Sequence, residues 1–289
     1  MVNLFRRACA CVLLCIAVRA WPAQNRASLL PQLHAGQKLT YQIRLRIDKR
    51  TQAESHVASP ISPAERPVDI LRTITVEVLE VAPGDPRDKL IVRLHIFDPA
   101  ISPHAPKTLE LSIRPDGTVG PPQGAESLSA EDTQAWQAWL DRFALAWSIP
   151  AKTAKLGEKW TGEESIFGAP LAQLSWQRES QYVRDEKCPV EQSPADRCAV
   201  LLTTAILKQR SSAKDATPDD FKLRQLKTQG TAKGTNEVFT YISLSNGLVL
   251  RSSEEAHQFL DVIIAKADGS NQVHYNIDAS SSTEMLLLP

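Results

Sequence analysis

The 289-residue sequence predicts a mainly β fold with one prominent amphipathic α-helix, its antiparallel meander sheets arranged as two repeated halves in a curved half-barrel or a sandwich. Three observations lead there. Apolar and polar residues alternate in segment after segment, the period of a half-buried strand. Short clusters of Gly, Pro, Asn and Asp separate those segments. One stretch, 129–149, changes to the helical period.

Residues 22–35 read as an extended leader. "KLTYQIRLRID" then places Leu39, Tyr41, Ile43, Leu45 and Ile47 on one face. "RTITVEVLEV" (72–81) does the same with Ile74, Val76 and Val78, and "KLIVRLHIF" (89–97) with Leu90, Val92, Leu94 and Ile96. The proline-spaced loop 58–67, the turn "APGDPRD" and the stiff loop "DPAISPHAPK" divide them. "TLELSIRPDGTVG" reads as strand, Pro-Asp-Gly turn and short strand, a hairpin signal.

In the helix, Ser129 caps the start and Asp132, three residues on, completes a capping box. Trp136, Leu140, Phe143 and Trp147 recur at helical spacing, Trp139 and Ala146 widen the stripe, and Pro150 stops it. Three tryptophans on one helix fit core packing against a sheet better than a carbohydrate platform or a membrane-facing surface. Further strands are expected at 159–166, 174–183, 198–209, 236–244, 247–265 and 271–278, with a loop at 210–221. Ser245-Asn246-Gly247 is a hairpin turn in which Asn246 and Gly247 tolerate positive φ, and Asp268-Gly269 marks another. The resulting division is 1–20, 21–150 with the helix at 129–149, and 151–289 with the cysteine loop.

The N-terminus has the layout of a secretory signal peptide. Arg6 and Arg7 precede an apolar run of 11 residues, Ala8 to Val18, and Val18-Arg19-Ala20 suits a signal peptidase. The run is shorter than the roughly 20 residues that span a bilayer, and no second long apolar stretch follows. Cys15 follows Leu14 rather than a small residue, so acylation there is not expected. Cleavage after Ala20 gives an exported chain, periplasmic or secreted, with no transmembrane segment.

Cleavage also removes Cys9, Cys11 and Cys15, leaving Cys188 and Cys198. An even pair in an oxidising compartment reads as a disulfide. Closing this short loop, rich in proline and charge, constrains the unfolded chain by about 2.5–3 kcal/mol. Two cysteines without a nearby histidine are too few for zinc, and the C-x-x-C spacing of redox sites is absent.

Charge excludes one class of partner. Lys and Arg total 33 and Asp and Glu 33, and loss of residues 1–20 removes three arginines and no acid. Such a near-neutral chain shows no bias toward nucleic acid. No nucleophile elbow, zinc-binding H-E-x-x-H, phosphate loop or S-x-x-K set occurs, so no catalytic residue, metal ligand or cofactor is assigned. His95 with Asp98 and His257 with Asp261 lie close in sequence but are expected on opposite strand faces, as satisfied surface groups. The adjacent acids Glu163 and Glu164, Glu254 and Glu255, and Asp219 and Asp220 read as solvated edges. Arg251, Glu254 and Lys266 are candidates to edge a ligand mouth, with nothing to single them out.

The halves rhyme: "AGQKLTYQI" (35–43) with "LGEKWTGEE" (156–164), and "LSIRPDGTV" (111–119) with "ISLSNGLVL" (242–250). Duplication and the general likeness of hairpins both explain this. Pro150, Gly157 and Trp160, followed by Gly234, Phe239 and Gly247, resemble a loose group of secreted bacterial proteins of unknown function. A meander with a helix is also similar to the half-barrel of LolA/LolB-type lipoprotein carriers, a resemblance that implies a groove for acyl chains. The leading expectation is a non-catalytic exported protein that binds an apolar ligand such as lipid, or an envelope protein. The alternatives are a hydrolase whose site forms from distant residues, and a structural adaptor. Peptide mapping without reductant should recover Cys188 linked to Cys198; two alkylatable thiols in exported protein would contradict both the bridge and the compartment.

Overall fold

A computed structural model describes residues 26–55, 67–81, 90–99, 106–114, 118–145, 149, 153–166, 168–189 and 196–289. The expected signal peptide, the expected loops at 58–66, 82–89 and 100–105, the expected Pro-Asp-Gly turn, and Ala146, Trp147 and Pro150 lie outside the described residues. Ten strands form one antiparallel sheet. In chain order they are β2 (Lys38–Ser55), β3 (Val68–Val81), β4 (Leu90–Phe97), β5 (Lys107–Ile113), β7 (Lys159–Ser165), β8 (Leu174–Lys187), β9 (Arg197–Gln209), β10 (Leu226–Ser243), β11 (Val249–Lys266) and β12 (Val273–Leu287). The order across the sheet is β5-β4-β3-β2-β12-β11-β10-β9-β8-β7, so two meanders join where the last strand pairs with the first long one. Two short strands, β1 (Ala27–Ser28) and β6 (Thr153–Ala154), pair separately. Between the meanders runs helix α1 (Ala130–Phe143), and between β9 and β10 a short helix α2 (Asp219–Leu223).

The expected alternation is present. On β3 the buried residues are Ile70, Arg72, Ile74, Val76 and Val78, and on β4 Leu90, Val92, Leu94 and Ile96. With Tyr41 and Ile43 of β2, Leu109 and Ile113 of β5, Trp160 of β7, Leu201 of β9, Leu250 of β11 and Met285 of β12, they form one core with Trp136, Trp139 and Phe143 of α1. Trp139 and Phe143 stack at 4.7 Å. The tryptophans described on α1 are therefore core, as expected. A flat sheet would hold its edges about 43 Å apart. Yet Lys107 of edge strand β5 pairs with α1, and edge strand β7 lines a cleft with it. The sheet must curl around the helix, without closing, since β5 and β7 do not pair.

Three expectations need correction. The helix starts at the predicted cap, with Ser129 Oγ accepting from Asp132 N at 3.1 Å, but ends at Phe143 rather than 149. Strands β10 and β12 are longer than their apolar runs. "LKTQGTAKGT" opens β10 and "ASSST" lies within β12, because ladder bonds to β11 along the start of β10, and to both β11 and β2 along β12, hold weak β-formers in strands they would not form alone. The 210–221 segment contains the start of α2. In the Ser245-Asn246-Gly247 turn, where Asn246 and Gly247 both tolerate positive φ, Gly247 adopts it. The Cys188–Cys198 disulfide links the end of β8 to the start of β9.

The sequence rhyme has a backbone counterpart. Gly36 and Gly157 both take φ near +82°, a conformation that favours glycine. Each donates its N–H to the second strand of its half, Gly36 to Val78 O at 2.8 Å and Gly157 to Tyr182 O at 2.7 Å. Each of those strands then shifts register just beyond, between Val78 and Glu80 and between Tyr182 and Arg184. Val119 bridges Ile113 as Val249 pairs with Ile242. There the halves diverge: after Val249 the chain builds β11 and β12, and after Val119 it turns into α1.

A buried charge cluster fixes the start of α1. Arg72 Nε donates to Asp132 Oδ1 at 2.8 Å, Lys107 Nζ to Asp132 Oδ2 at 2.6 Å, and Arg72 also pairs with Glu131 and, at 3.0 Å, with Asp98. Burial alone would raise the Asp132 pKa. The hydrogen bonds from Lys107, Arg72 and Ser129 outweigh it and hold the carboxyl far below the usual range. A depressed folded-state pKa contributes stability above the unfolded value of about 3.9, lost as pH falls below it. Asp132→Asn is expected to cost about 3 kcal/mol in urea unfolding at pH 7 and to flatten the acid limb of the stability profile below about pH 4. Unchanged stability at pH 7 would show that the cluster does not hold the helix.

Candidate functional site

One departure from close packing lies beside α1, where the sheet is open. A cleft of about 530 Å³ separates the last turns of α1 from the inner face of β7 and β8. Val119, Leu140, Ala144, Leu145 and Trp160 supply apolar surface, and Asp141, Glu163, Glu164, Arg178 and Ser180 the polar groups. Its position follows from the incomplete half: strand β7 has no neighbour on the side where β2, its counterpart, has β12.

Each wall residue is placed by strand parity. On β7, Trp160, Gly162 and Glu164 share the inner face, and opposite them on β8 stand Ser180, Arg178 and Trp176. Trp160 is only 8 % exposed, and its Nε1 has no hydrogen-bond partner among the described residues. Arg178 pairs with Glu164, and Glu163 pairs with Arg210 at 2.7 Å and accepts from Ser175 Oγ at 2.7 Å. Ser180 Oγ is engaged with Thr203 Oγ1 at 2.8 Å. Trp176 lies against the wall farther along: a methyl group placed on Gly234 would meet its Cη2 at 3.0 Å.

The end of α1 is pinned toward the opposite wall. Arg142, 7 % exposed, pairs with Glu254 of β11, which also accepts from Asn236 Nδ2 at 2.5 Å. Burial would raise the Glu254 pKa, but Arg142, Asn236 and Thr283 outweigh it and lower it. Glu254 is therefore not the solvated edge expected from its adjacency to Glu255, which is exposed. Parity explains the split, since neighbours on a strand face opposite ways.

Asp141 has neither an ion pair nor a hydrogen bond among the described residues. Asp141 is exposed at the edge of the cleft, and partial desolvation there, with Glu164 nearby, raises its pKa against the pull of Arg142 and Arg178. A carboxylate in the last turn of a helix also faces the negative end of the helix dipole.

The candidate mouth residues are not brought together. Glu254 faces inward, Arg251 is exposed on the outer face two residues from the hairpin, and Lys266 ends β11 at the far turn. Three histidines, His95, His257 and His274, meet carboxylates that differ from their sequence neighbours. His257 Nε2 lies 2.8 Å from Asp278, His274 Nε2 2.7 Å from Asp261, and His95 Nε2 3.7 Å from Glu77. His257 and Asp261, four residues apart, share the outer face after all, and each pairs with β12 instead. Among the described residues no cluster of three His, Cys, Asp or Glu side chains could hold a metal, and no helix is long and apolar enough to cross a membrane.

No protein-family model matches the chain, and no curated protein matches it. Solved structures overlap it loosely. A candidate lipoprotein of Parabacteroides distasonis gives a TM-score of 0.31 at 8 % identity, over 88 % of this chain and 98 % of that one. A candidate exported protein with a YmcC-like fold from Bacteroides fragilis gives 0.29 at 9 %, over 87 % and 97 %. The outer membrane protein OprG of Pseudomonas aeruginosa gives 0.21 at 9 %, over 90 % and 96 %. Overlaps at these TM-scores carry no argument about function, which rests instead on the residues of the cleft.

A raised folded-state pKa on an acid favours folding below the unfolded value and opposes it as pH rises through the folded one. Asp141→Asn is therefore expected to raise Tm at pH 7 and to leave it unchanged near pH 3. A lower Tm at pH 7 would show that the Asp141 carboxylate is paired in solution.

Proposed function

We propose that the chain is an exported, disulfide-stapled, non-catalytic protein that binds an apolar or amphipathic ligand in the cleft between α1 and β7–β8. Export rests on the N-terminal layout and on the bridge between Cys188 and Cys198. The observation that carries the binding role is the cleft itself: at about 530 Å³ it falls within the roughly 300–1,000 Å³ of small-molecule sites. Its floor of Val119, Leu140, Leu145 and Trp160 is the surface an apolar chain would cover.

The ligand would enter along the side where the wall is incomplete, with its polar end toward Asp141, Glu164 and Arg178. The groove for acyl chains implied by the resemblance to lipoprotein carriers would sit here. The hydrolase alternative finds its foothold in the same place, where the Glu164 charge acts on Asp141. Turnover of ester or glycan substrates that vanishes in Asp141→Asn would put that reading ahead.

Calorimetric titration with dodecanol tests the binding role. Leu140→Arg places a charge on the floor at a half-buried position and is expected to weaken binding about tenfold or more while the protein stays folded. Equal affinity in Leu140→Arg would exclude this cleft as the site.

A further inference from the structure

The charges around the cleft discriminate between ligand head groups. Every guanidinium that lines or flanks it already has a carboxylate: Arg178 has Glu164, Arg210 has Glu163 and Arg142 has Glu254. Among the described residues, these guanidiniums offer an anionic head no unpaired cation. Asp141 is in the converse position. It lines the cleft, has no cation of its own among the described residues, and sits in the last turn of a helix, where negative charge is disfavoured. The groups that face it are Arg142 on its own helix, Glu163 and Glu164 on β7, Arg178 on β8 and Glu254 on β11. The cations among them are all engaged. Trp160 lines the same cleft. A carboxylate beside a tryptophan is the chemistry that recognises ammonium groups, by ion pairing on one side and attraction to the ring on the other.

We propose that Asp141 and Trp160 form a seat for an aliphatic ammonium group, so that the ligand of this cleft is a cationic amphiphile. The inference rests on the binding role proposed above and adds the head group to it. The ammonium supplies the missing partner of Asp141, and the apolar chain lies on Leu140, Leu145 and Val119. The binding is pH-dependent: it weakens as pH falls through the raised Asp141 pKa, because the protonated acid no longer attracts the cation.

The test compares dodecylammonium, dodecanol and dodecanoate by calorimetry at pH 7, below their micellar concentrations, on the full exported chain. Dodecylammonium is expected to bind about tenfold more tightly than dodecanol, with dodecanoate the weakest. Asp141→Asn, which keeps side-chain size, is expected to bring the ammonium and alcohol affinities to within about twofold. Asp220→Asn removes the same charge from exposed α2 and keeps the preference, so that a general effect of net charge is separated from the seat. Dodecanol binding with no gain for the ammonium would overturn the seat and leave the apolar cleft standing, as would a preference that survives in Asp141→Asn. If neither compound binds, the apolar cleft fails and the seat with it. Dihexanoyl phosphatidylethanolamine separates two sources of the ammonium: affinity equal to dodecylammonium, lost in Asp141→Asn, identifies a lipid head, and affinity no better than dodecanol identifies a free amine.

Discussion

Helix α1 is held by buried charge at both ends, and the arrangement of the molecule around it depends on that. At its start Asp132 receives Arg72 from β3 and Lys107 from β5, and at its end Arg142 reaches Glu254 on β11. Such pairs add little net stability over well-packed apolar groups, but breaking one leaves an uncompensated charge. They therefore fix position: the helix cannot slide or turn without exposing a charge to the core. With Arg142 directed at β11, its neighbour Asp141 lies about 100° round the helix, toward β7 and β8. The orientation of Asp141, unpaired among the described residues, follows from the pair next to it.

The cleft exists because one half stops short. Both halves begin with a glycine turn, share a register shift in the second strand and reach a hairpin after the fourth. The second continues into β11 and β12, whereas the first turns into α1 after Val119. The helix fills the middle of the curled sheet with Trp136, Trp139 and Phe143, but does not pair with β7. A wall with a gap beside an inserted helix leaves an apolar strip that packing does not cover. Asp141 stands at that strip without a cation of its own among the described residues.

Much of the fold was legible because alternation reports burial directly. The inward rows of β2, β3 and β4 match the apolar positions residue by residue, and the Ser129–Asp132 capping box is formed. The start of β10 and the later part of β12 were not legible, because Thr, Ser and Gly there extend the ladder with little apolar alternation of their own. The charge pairs were missed for a different reason. Arg72 occupies an inward position in the row 70, 72, 74, 76, 78, and Asp132 and Arg142 fall on the stripe that carries Ala135, Trp136 and Trp139. A charge inside an apolar period was the available signal. Glu254 was hidden by its neighbour, since an adjacent acid pair looks solvated until strand parity sends one member inward. The cleft could not be read at all, because it joins residues near 119, 140, 160 and 178 across the break in the sheet.

Native mass spectrometry of exported protein, before and after extraction with organic solvent, tests the central claim most directly. If the cleft holds an apolar ligand, the protein should carry an added mass that extraction removes and that is absent from Leu140→Arg prepared the same way. An adduct of equal mass and abundance on Leu140→Arg would place the ligand elsewhere, and a bare mass for the unsubstituted protein would contradict a resident apolar ligand.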